Sequence, residues 1–258
     1  MKICCVGDNC IDYYVDTKTP RFGGNPVNVA VYCRRLGIDS SYVGLMGNDD
    51  LGNQYKEALE NKGIDISHLY QKEGTTALTE VKMIDHERVL GDYDEGVFAS
   101  FKLTEKDIDF ISHHDCMITG IWSRTADDLK NITIPVAFDF ADKIKHPLWK
   151  SVLPYVSYAF YSNDFLDDEA LKTEMQDKWS SNLEVLICTR ANKGSLSYDG
   201  KNFYSCGIEK CDVVDTMGAG DSYIAGFIVD YLKNKDIQKA MIAGTKNSAI
   251  TISYQGAW

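Results

Sequence analysis

The sequence has little positive charge, few prolines and no long apolar run. Among its 258 residues, 27 lysines and arginines stand against 38 aspartates and glutamates, which gives a formal net charge of −11. Nucleic acids and anionic membranes bind basic patches, so neither is an expected partner. No apolar run reaches the roughly 18 residues of a membrane-spanning helix. Only five prolines occur, and no linker or repeat interrupts the chain. We therefore expect a folded, soluble protein.

The eight cysteines lack the spacing of metal sites and redox motifs. They occupy positions 4, 5, 10, 33, 116, 188, 206 and 211, and no two form a C-x-x-C pair. Several lie in apolar runs, such as Cys4 and Cys5, which is typical of buried free thiols in a reducing compartment. The N-terminus enters an apolar run without a charged leader. A cytoplasmic location is therefore expected.

Short apolar runs alternate with amphipathic ones along most of the chain. Strands are predicted at Lys2–Val6, 41–46, 116–121, 136–140, 158–161 and 185–189, and helices at 26–36, 51–61, 167–178, 222–233 and 236–254. This alternation is typical of a parallel sheet covered by helices on both faces. The predicted fold class is therefore α/β.

Two stretches break this rhythm. Within residues 10–16 and 75–97, polar and apolar residues alternate as they do in half-exposed strands. Such strands would form a small sheet that stands off the main one. Beside the crevice of an α/β fold, a small sheet is predicted to act as a lid over a ligand.

The segment D-T-M-G-A-G-D at 215–221 lies between a predicted strand at 211–214 and a helical run. Gly218 and Gly220 let the backbone approach a ligand, and the helix directs its N–H groups and positive dipole end at this loop. The loop can therefore hold a phosphoryl group, and the Asp221 carboxylate can accept a proton from an attacking hydroxyl. The structural alternative is a tight turn followed by a helix cap.

The string D-T-x-G-A-G-D resembles the C-terminal signature of the PfkB, or ribokinase-like, family of sugar kinases. Residues 23–30, G-G-N-P-V-N-V-A, resemble its N-terminal signature, and residues 7–12 resemble its first strand with a sugar-binding Asp. The resemblance covers essentially the whole chain. It implies one ribokinase-like domain over 1–258, with a mostly parallel sheet flanked by helices and a lid from 10–16 and 75–97.

The resemblance implies roles for individual residues. Asp221 resembles the catalytic base, and Gly218, Ala219 and Gly220 resemble the anion hole for the transferred group. Short polar side chains and exposed backbone suit a polyol, and the residues that resemble the sugar-hydroxyl ligands are Asp12, Gly24 and Asn28. A helix cap is the structural alternative for Asn28.

For the nucleotide, the segment T-R-A-N-K-G at 189–194 resembles the family's loop over the ATP phosphates. It supplies Thr189, Lys193 and Gly194, and Asn247 resembles a residue that lines the adenine pocket. No G-x-x-x-x-G-K-[ST] motif occurs, so the sequence does not predict a P-loop.

The family's N-x-x-E motif, which orders Mg²⁺ through water, is not intact. Asn163 is followed three residues later by Leu166, and an alternative register assigns the metal role to Glu169. A solvated position on a helix is the structural alternative for Glu169. The resemblance also allows a K⁺ site made of backbone carbonyls near Asp215.

Within the family, the segments at 23–25, 91–97, 137–140 and 256–258 resemble the kinases of fructoselysine. That substrate carries ammonium groups and a carboxylate. Asp92 and Glu95 are therefore expected to face its ammonium groups, and Arg124, just past a strand end, its carboxylate. A generally acidic surface and a surface arginine are the structural alternatives.

These observations predict an ATP-dependent, Mg²⁺-requiring kinase of a sugar primary hydroxyl, and the resemblance implies fructoselysine as the acceptor, phosphorylated at its 6-hydroxyl. A kinase of ribose, fructose or another hexose is one alternative. A non-catalytic sugar sensor is another, although it would not need Asp221. The resemblance also allows a homodimer formed through the lid strands.

Overall fold

A computed structural model describes residues 1–84 and 87–258; the predicted lid range 75–97 therefore includes two residues outside it. The described strands are β1 Lys2–Val6, β2 Cys10–Tyr14, β3 Thr19–Gly23, β4 Asp39–Gly47, β5 Asp65–Lys72, β6 Leu78–Ile84, β7 Glu87–Asp94, β8 Cys116–Gly120, β9 Val136–Asp139, β10 Tyr158–Ser162, β11 Val185–Thr189, β12 Ser195–Tyr198 and β13 Phe203–Cys206. The α-helices are α1 Asn25–Arg35, α2 Asp50–Asn61, α3 Glu105–Ser112, α4 Leu148–Val152, α5 Asp168–Lys178, α6 Ala219–Asn234 and α7 Ile237–Thr251.

The main sheet has the strand order β13-β12-β11-β10-β9-β8-β1-β4-β5. From β11 to β5 all neighbours pair in parallel, and β12 and β13 continue the sheet antiparallel. In β1, Ile3 and Cys5 pack into the core under α1 and α6, whereas Cys4 and Val6 pack into the core on the opposite face. Because both faces are buried, β1 is apolar without alternation. The predicted α/β fold is confirmed.

A second, smaller sheet has the order β3-β2-β6-β7. Strands β2, β6 and β7 lie within the stretches predicted for it, but β3 was not predicted. Its sequence T-P-R-F-G contains Pro20, which cannot donate to a neighbouring strand. The strand forms because it lies at the edge of the sheet, where it pairs antiparallel with β2.

The predicted strand at 211–214 is wrong, because this segment forms no strand. Its β-branched residues have high strand propensity, yet they pair with none of the described strands. Val213 and Val214 are 63% and 61% exposed, and Val214 N–H donates to the Ile252 carbonyl at 2.8 Å. The segment is therefore an extended loop that runs toward the end of α7.

Helices α6 and α7 approach each other through glycine. A Cβ at Gly226 would lie 2.7 Å from the Ala243 carbonyl oxygen, and one at Gly244 would lie 2.9 Å from the Tyr223 carbonyl oxygen. Neither position has room for a methyl group. The distance between the two helices is therefore set by backbone contact.

All eight cysteines are free thiols, and Cys4, Cys5, Cys33, Cys116 and Cys188 are buried. Burial raises the pKa of Cys33 and of Cys188 to about 12, which keeps both thiols protonated. Among the residues that the structure describes, no helix is long and apolar enough to cross a membrane.

Candidate active site

The polar residues of the candidate site lie at the carboxyl ends of the parallel strands, where α/β folds bind ligands. Asp8 follows β1, Ser123 follows β8, and Asp139 ends β9. The first turns of α1 and α6 meet at the same edge and contribute Asn25 and Asp221. Residues far apart in the chain therefore converge on one crevice.

Asp221 lies in the first turn of α6, which begins after Gly218 in a left-handed conformation with φ 73°. Its Oδ1 accepts a hydrogen bond from Asn25 Nδ2 at 2.6 Å, and its Oδ2 accepts one from Asn28 Nδ2 at 2.7 Å. Its pKa is raised to about 6, chiefly by burial and to a smaller extent by the negative charges of Asp8 and Asp12, and the two amide hydrogen bonds oppose this rise. The carboxyl group is thus fixed in place and still able to accept a proton near neutral pH.

Asp139 is a site residue that the sequence did not assign. Its Oδ2 accepts a hydrogen bond from Asn25 Nδ2 at 2.8 Å, and its Oδ1 accepts one from Ala141 N–H at 2.9 Å. Burial, together with the negative charge of Asp221, raises its pKa to about 7. One amide therefore joins two partly buried carboxyl groups. A polar residue at the end of a buried strand was the available signal.

Asp8 and Ser123 were also missed. Ser123 Oγ donates to Asp8 Oδ1 at 2.7 Å, and Asn25 N–H donates to Asp8 Oδ2 at 3.3 Å. Burial raises the pKa of Asp8. Through these bonds Asp8 connects the loop after β8 to the start of α1.

The three predicted sugar ligands, Asn28, Gly24 and Asp12, lie at the same crevice. Asn28 contacts Asp221 directly, and Gly24 lies one residue before α1 with φ 100°. A Cβ at Gly24 would lie 2.7 Å from the Asn9 Cα, so only glycine allows this approach. Asp12 lies on β2 of the second sheet, and its charge contributes to the raised pKa of Asp221. The structure thus brings all three to the crevice.

Trp258 was not assigned a role either. Its Nε1–H donates to Asn28 Oδ1 at 2.9 Å. The ring lies against Phe22 of β3 and Tyr55 of α2, with both ring centroids 6.2 Å away. Trp258 therefore joins the second sheet to the first turns of α1.

The rim of the crevice carries the residues expected to recognise the charged part of the substrate. Arg124 has φ 57° and donates from Nε and a terminal nitrogen to the two carboxylate oxygens of Glu95, at 2.6 and 2.7 Å. The two predicted residues therefore pair with each other, across the gap between the loop after β8 and the end of β7. Asp92 is exposed on β7, the edge strand of the second sheet.

A cavity of about 740 Å³ opens beside the start of α6. Thr189 and Gly194, two of the residues expected to contact the nucleotide, line it together with Thr216, Ala219, Gly220 and residues of α7. Lys193 instead donates to the Asp164 carbonyl at 2.6 Å, and Asn247 donates to the Ser222 carbonyl at 2.6 Å. Neither side chain is among those that line the cavity, because each is held by backbone. The volume of the cavity suits a nucleotide, whose anionic phosphates would meet the N-terminus of α6.

Glu169 does not reach this region. Its side chain is 85% exposed on α5 and pairs with Lys172 at 2.8 Å. The carboxylates nearest the start of α6 include Asp139 and Asp142, which line a cavity of about 320 Å³ together with Thr189 and Gly220. Among the described residues, no group of three His, Cys, Asp or Glu could hold a metal alone. Mg²⁺ at substrate phosphates usually needs only one or two protein carboxylates, with water as its other ligands.

Comparison with known proteins places the chain in context. A family model described as "pfkB family carbohydrate kinase" matches residues 2–258. The fructoselysine 6-kinase of Shigella flexneri is 40% identical over 99% of each chain. The fructosamine kinase of Bacillus subtilis is 33% identical over 100% of this chain and 93% of its own. Among solved structures, Arabidopsis thaliana ribokinase complexed with ribose and ATP has a TM-score of 0.87 and 16% identity, with 99% and 93% of the two chains covered. That likeness concerns the fold.

Proposed function

The chain belongs to the pfkB family of carbohydrate kinases and is an ATP-dependent carbohydrate kinase, and from that premise we propose that its acceptor is the 6-hydroxyl of fructoselysine. Mg²⁺ is the usual ion of such kinases. The observation that carries the catalytic part is the position of Asp221, which is held between two amides at the start of α6. The substrate rests on the 40% identity to a fructoselysine 6-kinase over 99% of both chains.

Asp221 is proposed to take the proton of the attacking hydroxyl. Asn25 and Asn28 hold its two oxygens, so the carboxylate does not have to reorganise when the hydroxyl arrives. A pKa of about 6 leaves most of the group ionised at neutral pH and keeps it a stronger base than an exposed aspartate.

The start of α6 is proposed to stabilise the charge that develops on the transferred group. Gly218 opens the helix with φ 73°, and Ala219 and Gly220 of the first turn line the cavity, where the N–H groups of a helix start can bind an anion. A side chain at Gly218 is impossible, because its Cβ would lie 2.2 Å from the Tyr32 hydroxyl oxygen. ATP in the cavity supplies the phosphoryl group, and Mg²⁺ offsets the charge of its phosphate oxygens.

Thr189 and Gly194 are the predicted nucleotide residues that line the cavity, and we propose that they contact the phosphates. The Asp215 loop is fixed by two hydrogen bonds to its carboxylate, from Met217 N–H and Gly256 N–H, both at 2.9 Å. A fixed loop of this kind can present backbone carbonyls to a monovalent cation, and we propose K⁺ as that ion.

The charged tail of fructoselysine is proposed to bind at the rim. Its ammonium groups would meet Glu95 and Asp92, and its carboxylate would meet Arg124. A carboxylate at about 4 Å from an ammonium gains up to roughly 4 kcal/mol at intermediate dielectric, before desolvation is subtracted. Because the pair of Glu95 and Arg124 is half-exposed, solvent leaves only part of this gain.

The test is a kinase assay with fructoselysine, fructose and ribose. We expect kcat/KM for fructoselysine to exceed that for fructose by at least roughly tenfold, the preference that about 1.4 kcal/mol produces. If fructose or ribose is the better substrate, the assigned acceptor is wrong although the kinase family stands.

Two further expectations concern the whole protein. We propose that it works in the cytoplasm, where a reducing environment suits eight free thiols. We also propose that two copies associate through the second sheet, whose edge strands β3 and β7 offer backbone groups for pairing. Light scattering in solution checks the dimer, since a monomer at micromolar concentration would contradict it.

A further inference from the structure

The last residues of the chain are fastened to the catalytic loop. Gly256 N–H donates to Asp215 Oδ2 at 2.9 Å, and the hydroxyl groups of Tyr32 and Tyr254 both donate to the Ala257 carbonyl. These bonds fix the backbone on both sides of Ala257. The Trp258 side chain is consequently held at the start of α1.

At that position the Trp258 indole meets Asn28. Nε1–H donates to Asn28 Oδ1 at 2.9 Å, and on the other end of the same amide Nδ2 donates to Asp221 Oδ2 at 2.7 Å. An indole N–H can only donate a hydrogen bond, so it pairs with the amide oxygen and not with the amide NH₂. The indole therefore selects the rotamer of Asn28 that turns its NH₂ toward the catalytic carboxylate.

Asn25 shows why Asn28 needs this partner. The Asn25 NH₂ donates to two carboxyl groups, those of Asp221 and Asp139, and this fixes its orientation although its buried Oδ1 has no hydrogen-bond partner among the described residues. The Asn28 NH₂ donates to the single carboxylate of Asp221. Without a donor on the opposite side, the Asn28 amide could rotate and present its oxygen to the carboxylate, and the repulsion between like partial charges would oppose this rotation.

We propose that Trp258 is a positioning residue that acts through Asn28 to hold the Asp221 carboxylate toward the acceptor hydroxyl. The inference rests on the proposed function, since it requires Asp221 to be the base. It concerns the last step of a chain of contacts, Trp258 to Asn28 to Asp221, and not a contact of the indole with substrate.

The first variant is Trp258→Phe, which keeps a ring against Phe22 and Tyr55 and removes the donor. We expect kcat to fall about two- to tenfold, the effect of one neutral hydrogen bond, with sugar KM changed less. The acid limb of kcat/KM should also move to higher pH, because the Asn28 amide lowers the pKa of Asp221. The other ionisable groups around Asp221 are Asp8 after β1, Asp12 on β2, Asp139 on β9 and Tyr32 on α1, and this variant leaves all of them in place.

Trp179→Phe is the matched control. Trp179 follows α5 and packs edge-on against Tyr198, remote from the crevice. This variant loses the same ring atoms and should keep the parent pH profile. Thermal unfolding of both variants separates a loss of folded protein from a loss of positioning.

Replacing Trp258 by benzothienylalanine is the sharper variant, because sulfur takes the place of the N–H and the bicyclic ring stays. It should reproduce the slower kcat and the shifted acid limb even if Trp258→Phe folds poorly. A double-mutant cycle completes the test: Trp258→Phe should cost nothing further in an Asn28→Ala background.

Three results would overturn the inference. The first is an unshifted acid limb in the benzothienyl variant. The second is a rise in KM alone, which would make Trp258 a wall of the sugar site. The third is full additivity of the effects of Trp258→Phe and Asn28→Ala on kcat. The proposed function is tested separately by Asp221→Asn. If this variant is active, Asp221 is not the base and the proposed mechanism fails. If it is inactive and the Trp258 variants are unaffected, only the inference about Trp258 fails.

Discussion

The two sides of the crevice differ in how completely their polar groups are already satisfied. On the side of the main sheet, which is the more buried of the two, Asp221 and Asp139 are partly buried, and each of their carboxylate oxygens accepts a hydrogen bond. On the rim, Asp92 is exposed and Arg124 meets Glu95 in a half-exposed pair. The buried side is preorganised for one reaction, whereas the rim is screened by solvent and can exchange its partners for a ligand. In the proposed function, this difference would separate the chemistry from the choice of substrate.

The comparison is tested most severely by Asp221→Asn. Asparagine keeps the size of the side chain and removes the basic lone pair. Loss of a general base slows reactions by about 10²–10⁴-fold, so kcat should fall by that much. Calorimetric titration should show that the sugar still binds. A variant that retains most of its kcat would show that the buried side is not the chemical side.

As pH rises, the titration of Asp221 and Asp139 should increase the activity and decrease the stability of the folded protein. Folding raises the pKa of Asp221 to about 6 and that of Asp139 to about 7, from 3.8 for each. The base must be ionised, so kcat/KM should fall about tenfold per pH unit below pH 6. The folded state binds these protons more tightly, so their contribution to stability is present below about pH 4 and is lost as pH rises through 6 to 7.

Two measurements check this: kcat/KM against pH, and thermal unfolding over the same range. Asp139→Asn should remove part of the pH dependence of unfolding while leaving an acid limb in the rate. An acid limb near pH 4, where an exposed aspartate titrates, would mean that the Asp221 carboxyl is solvated and that the two sides do not differ.

On the rim, Glu95→Gln should shrink the preference for fructoselysine over fructose by up to about tenfold, since one partly screened charge is lost. Asp92→Asn should have a smaller effect of the same sign, because Asp92 is exposed. Turnover of fructose should change less in both variants. Glu57→Gln on the exposed face of α2 is the control for net charge. A fall in kcat for both sugars would assign Glu95 to the chemistry instead.

The smallest effect is expected from Glu169→Gln. The sequence assigned Glu169 to the metal network, but its side chain is exposed and pairs with Lys172, away from the start of α6. The Mg²⁺ concentration for half-maximal rate should therefore match that of the parent enzyme. A raised Mg²⁺ requirement, with sugar KM unchanged, would restore the original assignment.

Much of the fold followed from local pattern. Continuous apolar runs such as Lys2–Val6 predicted buried parallel strands, because both faces of such strands meet helices. The strand at 211–214 failed because β-branched residues form a strand only where another strand can pair with them. β3 was missed for the opposite reason: its composition is poor for a strand, yet β2 offers it an edge.

The site was predictable only where a motif carried it. The segments at 23–30 and 215–221 hold Asn28 and Asp221, and their side chains meet because the first turns of α1 and α6 lie together. Asp139 and Trp258 reach the same place through packing of distant elements. No local period encodes such a meeting, so only the folded chain reveals them. Lys193 and Asn247 lie in the expected segments, but backbone carbonyls hold their side chains.

The glycine contact between α6 and α7 bears on how this enzyme can evolve. Gly226 and Gly244 have no room for a methyl group, so backbone contact fixes α7 relative to the helix that carries Asp221. Thr245 and Ala249 of α7, by contrast, line the cavity beside the start of α6. Substitutions at these two positions can reshape the cavity wall without moving the base. Preference among nucleotides can therefore drift over generations while the reaction itself is preserved. This drift is possible because Gly226 and Gly244, which tolerate no side chain, keep the two helices in place.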